Sequence, residues 1–323
     1  MERIFVTRKI PESGLALLHP HFEIDVWEDP LPPPRQTLIA RGQGCAGLLT
    51  LLSDTIDSSV LDALPSVRAI ANFAVGYNNI DIQAATQRNI AIGNTPDVLT
   101  DATADIAVGL LIAVARLFPQ SADQVRRLQW KTWEPLGLLG QDLSGGKTLG
   151  IVGMGRIGQA VAKRCYGGWN MRVLYTSRTE RPQVDRDLQA TRVSFESLLE
   201  QSDFISIHTD LNPSTRHLFH REPLRRMKPN AVLVNTSRGG VIDQNALAEA
   251  LEQKWIFGAG LDVTDPEPLP DDSALRRYDN CLILPHIGSA TFEARSAMSQ
   301  MAARNLLAAL QGQPMPYAVN PIQ

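Results

Sequence analysis

Thr148-Leu-Gly-Ile-Val-Gly-Met-Gly-Arg-Ile-Gly158 decides how this chain is read. The run Thr148 to Val152 is short, apolar and partly β-branched, which suits a buried strand. Gly153, Gly155 and Gly158 follow in G-x-G-x-x-G spacing. Gln159 to Tyr166 then reads as a helix, and Met171 to Thr176 as a second strand. Strand, glycine turn, helix and strand within about 30 residues make the βαβ unit of a dinucleotide-binding fold. Gly153 permits the tight turn, Gly155 lets backbone approach a pyrophosphate, and Gly158 lets the helix pack closely on the strand. The helix N-terminus offers unpaired N–H groups and a partial positive charge to the phosphates. Glycine turns are common; the strand before this one and the helix after it give it meaning.

A chain of 323 residues has room for about two domains. The formal net charge of −3 offers no basic field to nucleic acid or to an anionic membrane. Cys45, Cys165 and Cys281 form no C-x-x-C pair, and with no signal-peptide pattern in Met1 to Lys9 they point to a reducing, cytoplasmic setting. The apolar stretch Ile106 to Ala115 is too short to span a bilayer. No His/Asp/Glu cluster has metal-site spacing, and Gly-x-Ser-x-Gly is absent.

The N-terminal hundred residues alternate strands and helices. Strands are expected at Arg3–Thr7, Phe22–Trp27, Ala46–Leu52, Ala69–Phe73 and Ala91–Gly93. Helices are expected at Pro11–Leu18, Thr37–Arg41 and Asp57–Leu64, the last capped by Ser53 or Asp54. Thr100 to Leu117 reads as a long apolar helix, followed by a loop containing Trp130 and Trp133. Beyond the glycine unit, strands are expected at Phe204–His208, Ala231–Asn235, Gly258–Leu261 and Cys281–Leu284. Helices at Ser194–Gln201, Arg221–Met227 and Gln244–Lys254 separate them, and Ala290 to Leu310 is a final long helix. The fold class is α/β, with two doubly wound parallel-sheet (Rossmann-like) domains and a cleft between them. The second sheet is expected to have about six strands. The expected substrate domain is discontinuous, 1–99 plus 290–323, and 100–289 is the dinucleotide domain.

Doubly wound sheets place ligands beyond the carboxyl ends of their strands. Arg238, Glu267 and His286 each fall just after an expected strand. A lone loop arginine is ordinarily a solvated charge, Glu267 between prolines could be a rigid turn, and His286 could be a core histidine. Together their types fit reduction of a 2-keto acid. Arg238 offers a permanently charged fork to carboxylate and carbonyl oxygens. His286 can give up a proton near neutral pH, and Glu267 can orient the imidazole and favour its charged form. Val75-Gly76, in a loop after a strand, offers backbone to the substrate carboxylate.

These pieces resemble the D-isomer-specific 2-hydroxyacid dehydrogenases, and within them the glyoxylate/hydroxypyruvate reductases. The matching stretches are Ala74-Val-Gly-Tyr-Asn-Asn-Ile-Asp81, Val98-Leu-Thr-Asp-Ala-Thr-Ala-Asp105 and the Gly153 fingerprint. They continue with Asn235-Thr-Ser-Arg-Gly-Gly240, Gly260-Leu-Asp-Val-Thr-Asp-Pro-Glu-Pro268 and Leu284-Pro-His-Ile-Gly-Ser-Ala-Thr291. They span nearly the whole chain in the family's order. The resemblance implies Arg238, Glu267 and His286 as catalytic residues. It places Val75, Gly76, Ser289 and Trp133 with Arg238 at the substrate. It places Thr103, Gly153, Gly155, Arg156, Ile157, Gly158, Thr209, Pro213, Thr236, Ser237, Asp262, His286 and Gly288 at the cofactor. Thr209-Asp-Leu-Asn-Pro213 departs from the family's more usual apolar residue and proline before a leucine.

Cofactor choice is read from the end of the second strand of the unit. An NAD-reading enzyme usually carries Asp or Glu there for the ribose 2′-hydroxyl. Here Tyr175-Thr-Ser-Arg-Thr179 has no acid. Ser177 and Arg178 suit a 2′-phosphate, so NADPH is expected, with NADH weaker. The apolar helix from Ala102 to Leu117 and the Trp130–Trp133 loop lead us to expect a homodimer. Other readings are a 3-phosphoglycerate-type dehydrogenase, against which the short tail after Leu310 argues, and a nucleotide-sensing corepressor. A turnover assay separates the corepressor from an enzyme.

Overall fold

The computed structural model describes residues 1–322. The chain divides into two compact units, Met1–Leu99 with Ala290–Gln323, and Thr100–Ser289. The first runs β1 (Glu2–Val6), α1 (Glu12–Leu18), β2 (Phe22–Val26), α2 (Arg35–Gly42), β3 (Gly47–Thr50), α3 (Ser58–Ala63), β4 (Ala69–Asn72), α4 (Ile82–Gln87) and β5 (Ala91–Gly93). The second runs α5 (Thr100–Ala115), α6 (Phe118–Arg126), β6 (Thr148–Val152), α7 (Arg156–Trp169), β7 (Arg172–Thr176), α8 (Pro182–Leu188), β8 (Thr191–Arg192) and α9 (Phe195–Gln201). It continues through β9 (Phe204–Ile207), α10 (Arg221–Arg226), β10 (Val232–Asn235), α11 (Gln244–Glu252), β11 (Gly258–Leu261) and β12 (Cys281–Ile283). The last helix, α12 (Phe292–Leu310), belongs to the first unit.

The first sheet is ordered β2-β1-β3-β4-β5 with every strand pair parallel. Strands β3 and β4 are buried along their whole length. Parallel strands covered on both faces by helices read as continuous apolar runs, which is why they were visible in the sequence. Helix α12 crosses back onto this unit, where Ser13 Oγ lies 2.8 Å from Ser296 Oγ and Ser299 Oγ donates to the Pro11 carbonyl at 2.7 Å. The cap of α3 is Asp57, whose carboxylate accepts from Val60 N at 3.0 Å, and neither Ser53 nor Asp54 serves. Asp54 is buried instead, accepting from Thr7 Oγ1 and from Leu51 N.

The second sheet is ordered β12-β11-β10-β9-β6-β7-β8, again all parallel. It holds seven strands where the sequence suggested six. The addition, β8, is a two-residue exposed edge strand with no hydrophobic period to reveal it. The order reverses at β6, which sits between β7 and β9, so the glycine turn after β6 lies at the topological switch point. Helix α5 stops at Ala115; Leu117 takes a left-handed φ of 54°, and α6 departs at 65°. No single helix among the described residues is long and apolar enough to cross a membrane.

Candidate active site

The sheet order makes β10, β11 and β12 neighbours. Arg238, Glu267 and His286 leave the carboxyl ends of these three strands, so the register that aligns them also gathers the three side chains. Asn235, the last residue of β10, shapes the first loop. Its Oδ1 accepts from Ser237 N at 3.0 Å and Ser237 Oγ at 2.9 Å, and its Nδ2 donates to the Arg238 carbonyl at 3.0 Å. Gly239 lies so close to the backbone of Thr264 that a Cβ would fall 2.0 Å from the Thr264 carbonyl carbon. A side chain there would push apart the loops carrying Arg238 and Glu267.

His286 Nδ1 lies 2.8 Å from Glu267 Oε2, and Glu267 Oε1 accepts from Thr264 N at 3.1 Å. Both side chains are half-buried. Burial pushes the Glu267 carboxyl upward, but the His286 hydrogen bond and charge, the Thr264 N–H and the Arg238 charge outweigh it, so it is held below the ordinary range. Burial lowers the Arg238 guanidinium, opposed by the charge of Glu267. Arg238 Nη1 also donates to the Ser237 carbonyl at 2.7 Å.

His286 has a left-handed backbone, φ 54°, uncommon for a residue with a side chain. Asp262 sustains it. Its Oδ1 accepts from Ile287 N at 2.7 Å and its Oδ2 from Gly288 N at 2.6 Å. Asp262 is fully buried, and burial raises its carboxyl against the pull of those two N–H groups. Thr103 packs against the same turn, within 3.3 Å of where a Gly288 Cβ would stand. Thr103, Asp262 and Gly288, widely separated in sequence, therefore form one cluster at the turn that follows His286. The sequence marked Asp262 as a cofactor-lining residue; the structure gives it this clamping contact as well.

The glycine turn has the form a pyrophosphate needs. Gly153 takes φ 99°, with the His208 and Thr209 backbone 2.7–2.8 Å from a notional Cβ. A Cβ on Gly158 would meet the Gly153 carbonyl at 2.3 Å, whereas one on Gly155 meets nothing within 4 Å. Close packing on two sides and open space on the third leave a backbone cradle at the first turn of α7, where Arg156 and Ile157 stand. The N-cap, Gly155, has no side chain to occupy the helix N–H groups. The buried Thr236 Oγ1 has no hydrogen-bond partner among the described residues, which suits a surface completed by a bound ligand. These features fit a dinucleotide. His208, beside the cradle, is kept neutral by burial, its ring pushed down to about 3, and Nε2 meets Ser206 Oγ at 2.8 Å.

At the end of β7 the Ser177 hydroxyl donates to the Thr179 carbonyl at 2.5 Å. Arg178 is 89% exposed, with Nη2 3.9 Å from Asp210 Oδ1. Arg192, which sequence reasoning passed over, ties this turn down, donating to the Ser177 carbonyl at 2.9 and 3.2 Å. It sits on the short strand β8, and only the three-dimensional pairing of β7 with β8 brings it there. Pro213 is exposed and Thr209 partly buried. Ser289 is the last residue of the second unit. Trp133 is 80% exposed on the loop after α6, and Trp130 is exposed beside it. Val75 and Gly76 lie in the first unit, in a partly buried loop after β4.

Residues 108–288 match the sequence model of the D-isomer specific 2-hydroxyacid dehydrogenase, NAD binding domain. The glyoxylate reductase of Korarchaeum cryptofilum is 49% identical over 319 residues, 98% of this chain and 96% of that protein. The glyoxylate reductase of Thermococcus litoralis is 48% identical, with the same coverage of each. The NADPH-dependent glyoxylate/hydroxypyruvate reductase of Sinorhizobium meliloti, solved with NADP and malonate, matches with a TM-score of 0.84 at 33% identity, covering 98% of this chain and 96% of that one. This chain therefore belongs to the D-isomer-specific 2-hydroxyacid dehydrogenase family and is an oxidoreductase with a Rossmann-type nucleotide domain.

Proposed function

From that membership we propose that the protein reduces glyoxylate, hydroxypyruvate or both to the 2-hydroxy acid with NADPH, with His286 as proton donor. The observation that carries this reading is the His286–Glu267 contact at 2.8 Å, with the Arg238 charge acting on the same carboxylate. When bound, the reduced nicotinamide supplies the hydride to the carbonyl carbon. Glu267 engages Nδ1, which leaves Nε2 of His286 to deliver the proton to the carbonyl oxygen. Arg238 draws electron density toward that oxygen and steadies the substrate carboxylate. We assign Val75, Gly76, Ser289 and Trp133 to the substrate as well.

NADPH is favoured because the turn Ser177-Arg178-Thr179 offers a hydroxyl and a guanidinium where an acid would repel a 2′-phosphate. A homodimer is supported by the exposed apolar side chains Phe118, Val125, Leu128, Trp130, Leu136 and Leu139, which fall within one short stretch. Purified protein assayed with glyoxylate and hydroxypyruvate, each with NADPH and NADH, tests the reading. Turnover of neither keto acid would refute the substrate class; faster turnover with NADH would refute the cofactor preference.

A further inference from the structure

Three successive carbonyls in the loop after β4 are each held by a donor from the protein. The Ala74 carbonyl accepts from Thr95 N at 2.8 Å, the Val75 carbonyl from Asn94 Nδ2 at 2.8 Å, and the Gly76 carbonyl from Asn72 Nδ2 at 2.9 Å. A trans peptide is planar, so each N–H points opposite to the carbonyl of the residue before it. Holding these carbonyls therefore aims the N–H groups of Val75, Gly76 and Tyr77 away from their anchors. Among the described residues none of those three N–H groups donates to the protein. The loop itself is partly exposed, with Tyr77 42% exposed.

The anchors are rigid. Asn72 ends β4 and is completely buried. Its Oδ1 accepts from Thr50 Oγ1 at 3.1 Å, which leaves Nδ2 to donate to Gly76 and to Asn79 Oδ1 at 3.2 Å. Asn79 is fixed in turn, donating to the carbonyls of Leu51 and Asp54 at 3.0 and 2.9 Å. Asn94 follows β5. Its carbonyl accepts from Asn305 Nδ2 on α12 at 2.9 Å, and its N–H donates to the Tyr317 carbonyl at 3.2 Å. With its backbone held at both ends, its side chain is directed at Val75.

We infer that Asn94 and Asn72 are positioning residues that orient the N–H groups of Gly76 and Tyr77 to bind the substrate carboxylate, with Tyr77 N–H as a donor beside those of Val75 and Gly76. This rests on the reading that the Val75–Gly76 loop takes that carboxylate. Successive backbone N–H groups freed from protein acceptors bind anions without a charged side chain. A loop whose carbonyls were unheld could rotate its peptides and present carbonyl oxygen, which repels a carboxylate.

The test uses the full-length protein with saturating NADP⁺ and oxalate as the probe. In the wild type, amide resonances of Val75, Gly76 and Tyr77 shift as oxalate is added. Asn94→Ala raises KM for glyoxylate about tenfold, the loss expected when oriented hydrogen bonds to an anion are loosened. Its kcat and its KM for NADPH stay within about twofold, because substrate and transition state lose the same contact. Asn72→Ser acts in the same direction; should that buried site fail to fold, Asn94→Ala decides alone. Amides that do not respond to oxalate in the wild type overturn the carboxylate reading itself. Responsive wild-type amides with an unchanged glyoxylate KM in Asn94→Ala leave that reading intact and overturn the role of the asparagines. A variant whose kcat and NADPH KM worsen along with its glyoxylate KM shows a merely structural role, and also overturns it.

Discussion

Nδ1 of His286 stands 2.8 Å from Oε2 of Glu267, and the other oxygen of that carboxylate takes the Thr264 N–H at 3.1 Å. The imidazole is thus oriented by an acid that is itself fixed. Glu267 is held below the ordinary glutamate range of about 4.3, so it is charged throughout the neutral range. A depressed carboxyl contributes stability above its unfolded value, and that stability is lost as pH falls through the folded value. Glu267→Gln should therefore flatten the loss of Tm below about pH 4.3 and cut turnover by roughly tenfold or more. Melting curves from pH 3 to 7 and kcat at each pH check both. Wild-type turnover in the variant would remove Glu267 from the mechanism.

His286→Gln removes the proposed proton donor while keeping a polar side chain of similar reach. Turnover should drop roughly 10²–10⁴-fold. NADPH affinity, measured by fluorescence titration, should persist, since the Gly153–Gly158 cradle is built from another loop. A variant with near-normal turnover would end the assignment.

Arg238→Lys keeps the charge and loses the planar fork. The Asn235 bonds that shape this loop go to backbone and to Ser237, so the fold around position 238 should hold. We expect a higher KM for glyoxylate and a lower kcat, because a point charge cannot engage two oxygens at once. Steady-state kinetics decide the matter; equal kcat/KM in variant and wild type would assign Arg238 to packing alone.

Much of the molecule was legible in the sequence because parallel strands buried on both faces are short apolar runs. Thr148–Val152, Phe204–Ile207 and Val232–Asn235 appear as strands within a residue or so of their expected bounds. The glycines of the turn and the residues after the strands were readable for the same reason: the fold puts ligands at strand ends. What escaped was set by tertiary pairing. Strand β8 has two exposed residues, and Arg192 reaches Ser177 only across the β7–β8 pair. Asn72 and Asn94 carry no motif, and the carbonyls they hold lie 4 and 19 residues away in sequence. Asp57 displaced the expected caps of α3 because Asp54 is buried against Thr7.

The apolar stretch around α6 and the loop after it should be covered by a second copy of the chain. Leu128, Trp133 and Leu136 are among its most exposed side chains, and α6 has no buried residue. An apolar surface of this kind in a small region is costly in water. Light scattering at micromolar concentration should give twice the chain mass, and Leu136→Glu should shift the protein toward monomer by burying an unpaired charge. A monomeric wild type would count against the dimer.

Arg178 is 89% exposed and its ion-pair partner among the described residues, Asp210, is 3.9 Å away, so little holds its guanidinium in place. Its backbone is held instead: Arg192 donates to the carbonyls of Ser177 and Arg178, at 2.9 and 3.3 Å. A fixed backbone with a loosely held cationic side chain suits capture of a 2′-phosphate, since the side chain gives up only a long, screened contact to bind it. The Ser177 hydroxyl must turn from the Thr179 carbonyl to donate to the same phosphate. Losing one charge-assisted contact costs about 1.5–3 kcal/mol, or roughly 10- to 150-fold in affinity. Arg178→Ala should raise KM for NADPH by that order and leave KM for NADH nearly unchanged, because NADH carries no phosphate at that position. Asp210→Asn should act in the opposite direction and tighten NADPH modestly by removing a competing carboxylate. Specificity constants for both cofactors in the three proteins settle the matter: a wild type that favours NADH, or an Arg178→Ala variant that loses both cofactors equally, would show that Arg178 does not read the phosphate.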